Sequence, residues 1–129
     1  MRVVHETESE SRVLASEAEI AKGFVQTSKG LMFRSSIPEE YALVFEFEPS
    51  ALARRLPVGG DDAVKWRFIH MLFVRMSLDV LWLQGETVVK TATLRPWVGM
   101  GGAKADRIVE LPAGAADGVE TGDTVRLEE

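Results

Sequence analysis

Four side chains are of types that do chemistry and stand where an ordinary surface residue would not. Arg34 follows Leu31-Met32-Phe33, His70 lies between Ile69 and Met71, Asp79 interrupts the apolar run from Leu78 to Leu83, and Glu110 sits between Val109 and Leu111. Asp79 and Glu110 together could serve as a general acid–base pair, the chemistry of two carboxyls whose surroundings separate their proton affinities. His70 could act as a base or a metal ligand. The plainer reading of all four is structural. A charge carried into a core must meet an opposite charge or hydrogen-bond donors, and the simplest arrangement pairs Arg34 with Asp79 or Glu110. A lone histidine on a strand is more often a hydrogen-bonded structural residue. Trp97, between Pro96 and the Gly99-Met100-Gly101-Gly102 segment, adds a ring that could stack on a ligand, whereas Trp82 reads as core and Trp66 borders a soft segment. The candidate ligand-binding residues are therefore Arg34, His70, Asp79, Trp97 and Glu110, with no catalytic or metal residue assigned.

Other chemistries lack their residues. The chain has no cysteine, which removes disulfides, thiolate metal sites and thiol nucleophiles. Its second histidine, His5, is far from His70, and no His-x-His or His-Glu-x-x-His spacing occurs. Ser28, Ser35, Ser36 and Ser77 lie in no Gly-x-Ser-x-Gly elbow. The Gly99–Gly102 segment follows no phosphate-binding or dinucleotide fingerprint and reads as a mobile loop, with a binding lid as the lesser alternative. No cofactor is expected.

The elements that must position these residues are short strands. Tyr41–Phe47 combines aromatic and β-branched residues with alternation at its end, and 65–74 and 78–83 read as two largely buried strands. Gln84-Gly85 predicts a hairpin turn into an alternating strand that Pro96 stops or places at an edge. A short strand at Ile108–Leu111, a helical turn from Pro112 to Gly118, and a last strand at 124–127 entered through Gly122-Asp123 complete the chain. Residues 12–21 look extended, but Ser16 and Glu19 also fit a capping box, so a helix from Ser16 competes. A helical turn or two over 23–29 and a short helix at 50–56 are the remaining helical pieces. The expectation is an all-β fold, a β-sandwich, jelly-roll-like or a partly closed barrel, with one or two short helices. Residues 1–129 fit a single domain, with 1–11 a flexible tail and 49–63 a surface insertion.

A net charge of −5 disfavours nucleic acid, because phosphate binding needs clustered cations, and it disfavours an anionic membrane surface. The longest apolar runs are far short of the roughly 20 residues of a membrane helix, and 1–11 holds no apolar signal core. The expected partners are a small molecule or another protein, without nucleic acid or membrane, in the cytoplasm.

Read together, the patches resemble one family. Gly30, Leu31, Met32 and Arg34, then His70-Met71, Leu78-Asp79, Glu110-Leu111-Pro112-Ala113-Gly114 and Gly122-Asp123 match in order and spacing the signature of domain-of-unknown-function family 192, also called uncharacterised protein family 127. The resemblance runs from about Ala18 to Val125 and implies an all-β sandwich- or jelly-roll-like fold. It brings no activity, substrate or cofactor. His70 stands where many relatives have tryptophan. Many relatives also carry an export signal or lipid anchor and a cysteine pair, so an envelope role is not transferred. Three readings follow: a non-catalytic binding or interaction module, an enzyme using Arg34, His70, Asp79 and Glu110, and an accessory domain whose partner covers 49–63. Whether the four charged residues converge in a cleft distinguishes them.

Overall fold

The computed structural model describes residues 1–21, 30–34, 36–47 and 64–129. Ten strands are described in these segments: β1 (Arg2–Glu6), β2 (Ser11–Ala15), β3 (Glu17–Ile20), β4 (Tyr41–Glu46), β5 (Lys65–His70), β6 (Leu78–Gln84), β7 (Thr87–Leu94), β8 (Met100–Ala105), β9 (Arg107–Pro112) and β10 (Thr124–Glu128). Eight of them form one open mixed sheet in the order β2-β1-β10-β7-β6-β9-β4-β3, and β5 pairs with β8 in a second, two-stranded sheet. Only β3 and β4 run parallel among these pairings. The architecture is all-β, consistent with a sandwich or partly open barrel. None of the described residues is helical; the helical pieces expected at 23–29 and 50–56, and the rest of the 49–63 insertion, lie outside the described residues.

The central strands read as apolar runs because the large sheet is buried on both faces. Tyr41, Leu43, Phe45, Leu78, Val80, Trp82 and Ile108 enter one cluster, while Ala42, Val44, Leu81, Leu83, Val109 and Leu111 enter the other. Strand alternation sends successive side chains to opposite faces, so each strand feeds both cores. The β5–β8 ribbon covers the first face: Trp82 is fully buried, and its indole Nε1 donates to the Arg67 carbonyl at 2.9 Å. The β6–β7 hairpin turns at Gly85, whose φ of 61° suits a residue without a side chain.

Several expectations need correction. Residues 1–11 are not a free tail: β1 pairs with both β2 and β10, and His5 is buried, its Nε2 2.8 Å from the Asp123 carboxylate. Ser16 caps no helix; its backbone N–H and hydroxyl both donate to the Glu40 carboxylate, so the chain bends there and continues as β3. The strand expected over 65–74 ends at His70 and is mostly exposed, and Met71–Val74 turns instead, with Phe73 in the left-handed region at φ 62°. The helical turn from Pro112 is a succession of turns over 113–118, Pro112 itself ending β9.

The glycine-rich segment is strand β8 rather than a mobile loop. Its glycines make room: a Cβ on Gly101 would lie 3.0 Å from the Trp82 ring, and one on Gly102 would lie 2.8 Å from the Trp66 ring. The two sites should respond differently. Trp82 is enclosed, whereas Trp66 is 64% exposed and can swing aside. Gly101→Ala should cost about 1–2 kcal/mol in urea unfolding, an ordinary overpacking loss, and Gly102→Ala distinctly less. The reverse order would show that Trp82 can give way.

Candidate functional site

Parity and register decide which charged residues can meet. In the β6–β9 ladder Asp79 lies opposite Leu111 and Val80 lies opposite Glu110. Cross-strand partners share a face, so Asp79 points into the core of Leu81 and Leu111, and Glu110 points to the other face with Val80 and Ile108. The two carboxyls are therefore divided by the sheet, which rules out their acting as an acid–base pair.

Asp79 is 4% exposed and fully engaged. It accepts the Thr93 hydroxyl at 2.7 Å and the backbone N–H groups of Gly114 and Ala116 at 2.9 and 3.0 Å. The carboxylate thus holds the 113–118 turn against the end of β6. This links two of the sequence patches directly, Leu78-Asp79 and the Glu110–Gly114 run.

Arg34 meets neither carboxylate. It is exposed, with its guanidinium 5.6 Å from the Tyr41 ring centroid. The Tyr41 hydroxyl donates to Glu19 at 2.8 Å, and burial, reinforced by Glu19, pushes this phenol up to about 12. The expected pairing of Arg34 with Asp79 or Glu110 fails because the 30–34 turn ends at the surface beside β4. Trp97 is 48% exposed at φ 67° and packs its edge on Phe73, which stacks on Phe33 at 5.2 Å.

A cavity of about 270 Å³ opens between β5 and the β4–β9 pair. Gly30, Leu31 and Met32 close one side and Phe45, Phe47 and Ile108 another, while residues 66–71 with Val74 form the wall facing them. Glu110 and His70 are the two candidate residues that line it. His70 lies at the exposed end of β5, its Nδ1 accepting the Leu72 N–H at 3.2 Å. Glu110 is 5% exposed, and its Oε1 would be 3.7 Å from a Cβ placed on Gly30. Among the described residues none donates a hydrogen bond to this carboxyl. Burial alone pushes it up from 4.5 to about 7. Asp79, equally buried, has three donors; Glu110 has an open space instead.

The apolar lining was not singled out in the sequence. The signal was there in β5, where Trp66 and Phe68 alternate with residues that are not clearly more apolar, so no face stood out as the inner one. Among the described residues no cluster of histidine and acidic side chains could hold a metal ion, and no helix is long and apolar enough to cross a membrane.

A model of the family DUF192, described as "Uncharacterized ACR, COG1430", matches residues 4–127. A protein of unknown function from Novosphingobium aromaticivorans is similar in structure with a TM-score of 0.75 and 20% identity, covering 98% of this chain and 84% of its own. A proposed transcription regulator from Sinorhizobium meliloti is similar with a TM-score of 0.75 and 21% identity, covering 97% of this chain and 91% of its own. At such identities the likeness concerns the fold. No curated protein matches the sequence.

Proposed function

The chain belongs to the DUF192 family, whose description carries no activity, and we propose that it is a non-catalytic binding protein whose ligand is a small, largely apolar molecule seated in the cavity beside Glu110. The observation that carries this is the combination of an apolar-walled space with one carboxyl that opens on it and accepts no hydrogen bond from any described residue. Ligand sites are mostly apolar concavities with few convergent polar groups, and a carboxyl that opens on such a space without a protein donor is left to accept one from a ligand. The volume of about 270 Å³ suits a compact ligand. The four-residue enzyme reading loses its basis, since Arg34 and Asp79 are elsewhere. A role on DNA, as the name of the Sinorhizobium meliloti protein suggests for that protein, finds no support in a net charge of −5. A cytoplasmic setting suits the cysteine-free composition.

A thermal-shift titration with cyclohexylmethanol and related compact ring compounds tests the reading. A ligand that binds only the folded state raises the melting temperature with concentration. The emission of Trp66, which borders the cavity, should change in parallel, and Trp66→Phe should remove the optical response while retaining the thermal one. Absence of any saturable shift across neutral and charged ring compounds would sink the proposal.

A second reading, docking of another protein, is favoured by the outer side of the β5–β8 ribbon. Trp66, Phe68 and Met100 are exposed there, and Leu72, Phe73 and Trp97 continue the apolar surface past its end. Sedimentation of the protein with and without ligand separates the two readings.

A further inference from the structure

We infer that the cavity receives an ammonium group: its ligand is a compact apolar amine whose N–H donors close on the Glu110 carboxyl, an inference that rests on the cavity being a ligand site at all. Two observations converge. Glu110 is 5% exposed, faces the cavity, and accepts no hydrogen bond from any described residue. An ammonium supplies up to three donors and a compensating charge. Phe45 and Phe47 line the same space, and aromatic faces attract cations while accommodating an apolar body.

The other charged or titratable groups facing the cavity come from β5 alone among the described residues. Arg67 is tied down, its Nε donating to the Ala105 carbonyl at 3.1 Å and its guanidinium lying 3.9 Å from the Phe47 ring centroid. His70 stands at the exposed end of the strand. From β4, β9 and the 30–32 turn, Glu110 itself is the single ionisable group described in the lining. An anionic ligand would set a second negative charge against that carboxyl, and a neutral hydroxyl would leave it protonated.

Binding then moves a proton. Burial holds the Glu110 carboxyl near pH 7, at about 7, so much of it is neutral there. An ammonium favours the ionised form. The balanced step is Glu110 carboxylic acid plus ammonium giving the carboxylate–ammonium pair, with the carboxyl proton released to solvent. An alkyl amine stays charged well above pH 8, as lysine does. Amine affinity should therefore rise roughly tenfold from pH 6 to pH 8, following the ionised fraction of the carboxyl.

The experiment is calorimetric titration of the full chain with cyclohexylmethylamine and its isostere cyclohexylmethanol at pH 6 and pH 8, each in two buffers of different ionisation enthalpy. The amine should bind roughly tenfold more tightly at pH 8, with buffer-dependent heat at pH 6 reporting the released proton, and the alcohol should show neither effect. Glu110→Gln should keep alcohol binding and lose at least tenfold in amine affinity at pH 8. Should that variant fail to fold, the comparison of amine with alcohol on the parent protein decides alone. Amine affinity that ignores pH, or an alcohol that binds as tightly at pH 8, overturns the inference and leaves the binding reading standing. Failure of both compounds to bind overturns the two together.

Discussion

Asp79→Ala should unfold at a markedly lower urea concentration, with a loss of about 3–4 kcal/mol and an unchanged dependence on denaturant. The carboxylate is buried and accepts three hydrogen bonds, from Thr93, Gly114 and Ala116. Truncation strands two backbone N–H groups and a hydroxyl, each worth about 1–3 kcal/mol when left without a partner, less whatever water recovers. The turn they belong to carries Ala116, and Val119 follows it; both pack into the core beneath the sheet. Asp79→Asn should lie between the two, since an amide oxygen can still accept but its NH2 would face a backbone donor. A loss below about 1 kcal/mol would mean that the turn holds itself and that Asp79 only fills space. Asp79 belongs to the architecture.

The pH dependence of stability should carry the opposite signature for Glu110. Its folded-state value, about 7, lies above the 4.5 of the exposed group. Its contribution is therefore fully present below about pH 4.5, declines as pH rises, and is lost above about pH 7, because the unfolded chain surrenders the proton more readily. A displacement of that size corresponds to about 3 kcal/mol. Glu110→Gln should be close to the parent at pH 4 and more stable by about 2–3 kcal/mol at pH 8. The difference between the two proteins isolates this group from the rest, including Asp123, whose carboxylate is held below its usual range by the Glu120 N–H and by His5. Parallel pH profiles for parent and variant would show that the carboxyl is solvated in solution. A side chain that weakens the fold at neutral pH, and that a glutamine would relieve, fits the binding role proposed for it.

Sequence reasoning reached the central strands because two-sided burial leaves a mark in the chain. The runs that became β4, β6 and β9 are apolar at consecutive positions, and the Gly85 turn is local chemistry. β1 is not legible in the sequence because its residues, Arg2, His5 and Glu6, read as solvated until Asp123 and Arg126 are brought beside them. β8 was missed because glycine signals freedom along the chain, whereas here it makes room for Trp66 and Trp82. The candidate site is legible only in part. Glu110 and His70 stand out by type and apolar neighbours, and both line the cavity. Asp79 was chosen by the same criterion, and only the β6–β9 register shows that it faces the other way. No pattern within one strand specifies the register of two.

The pairing of β1 with β10, with Arg2 opposite Glu128 and Glu6 opposite Thr124, also bears on how the molecule is made. These strands meet only after all the strands between them have been made, and closing so long a loop must precede any gain from the contact. The β6–β7 hairpin can form early, on local contacts. β1 and β2, made well before β10, must wait with apolar Val3, Val4 and Leu14 uncovered and with backbone groups open to any other strand. The order of synthesis and the order of assembly thus run against each other. The period before β10 arrives is when this chain is most exposed to mispairing with its neighbours.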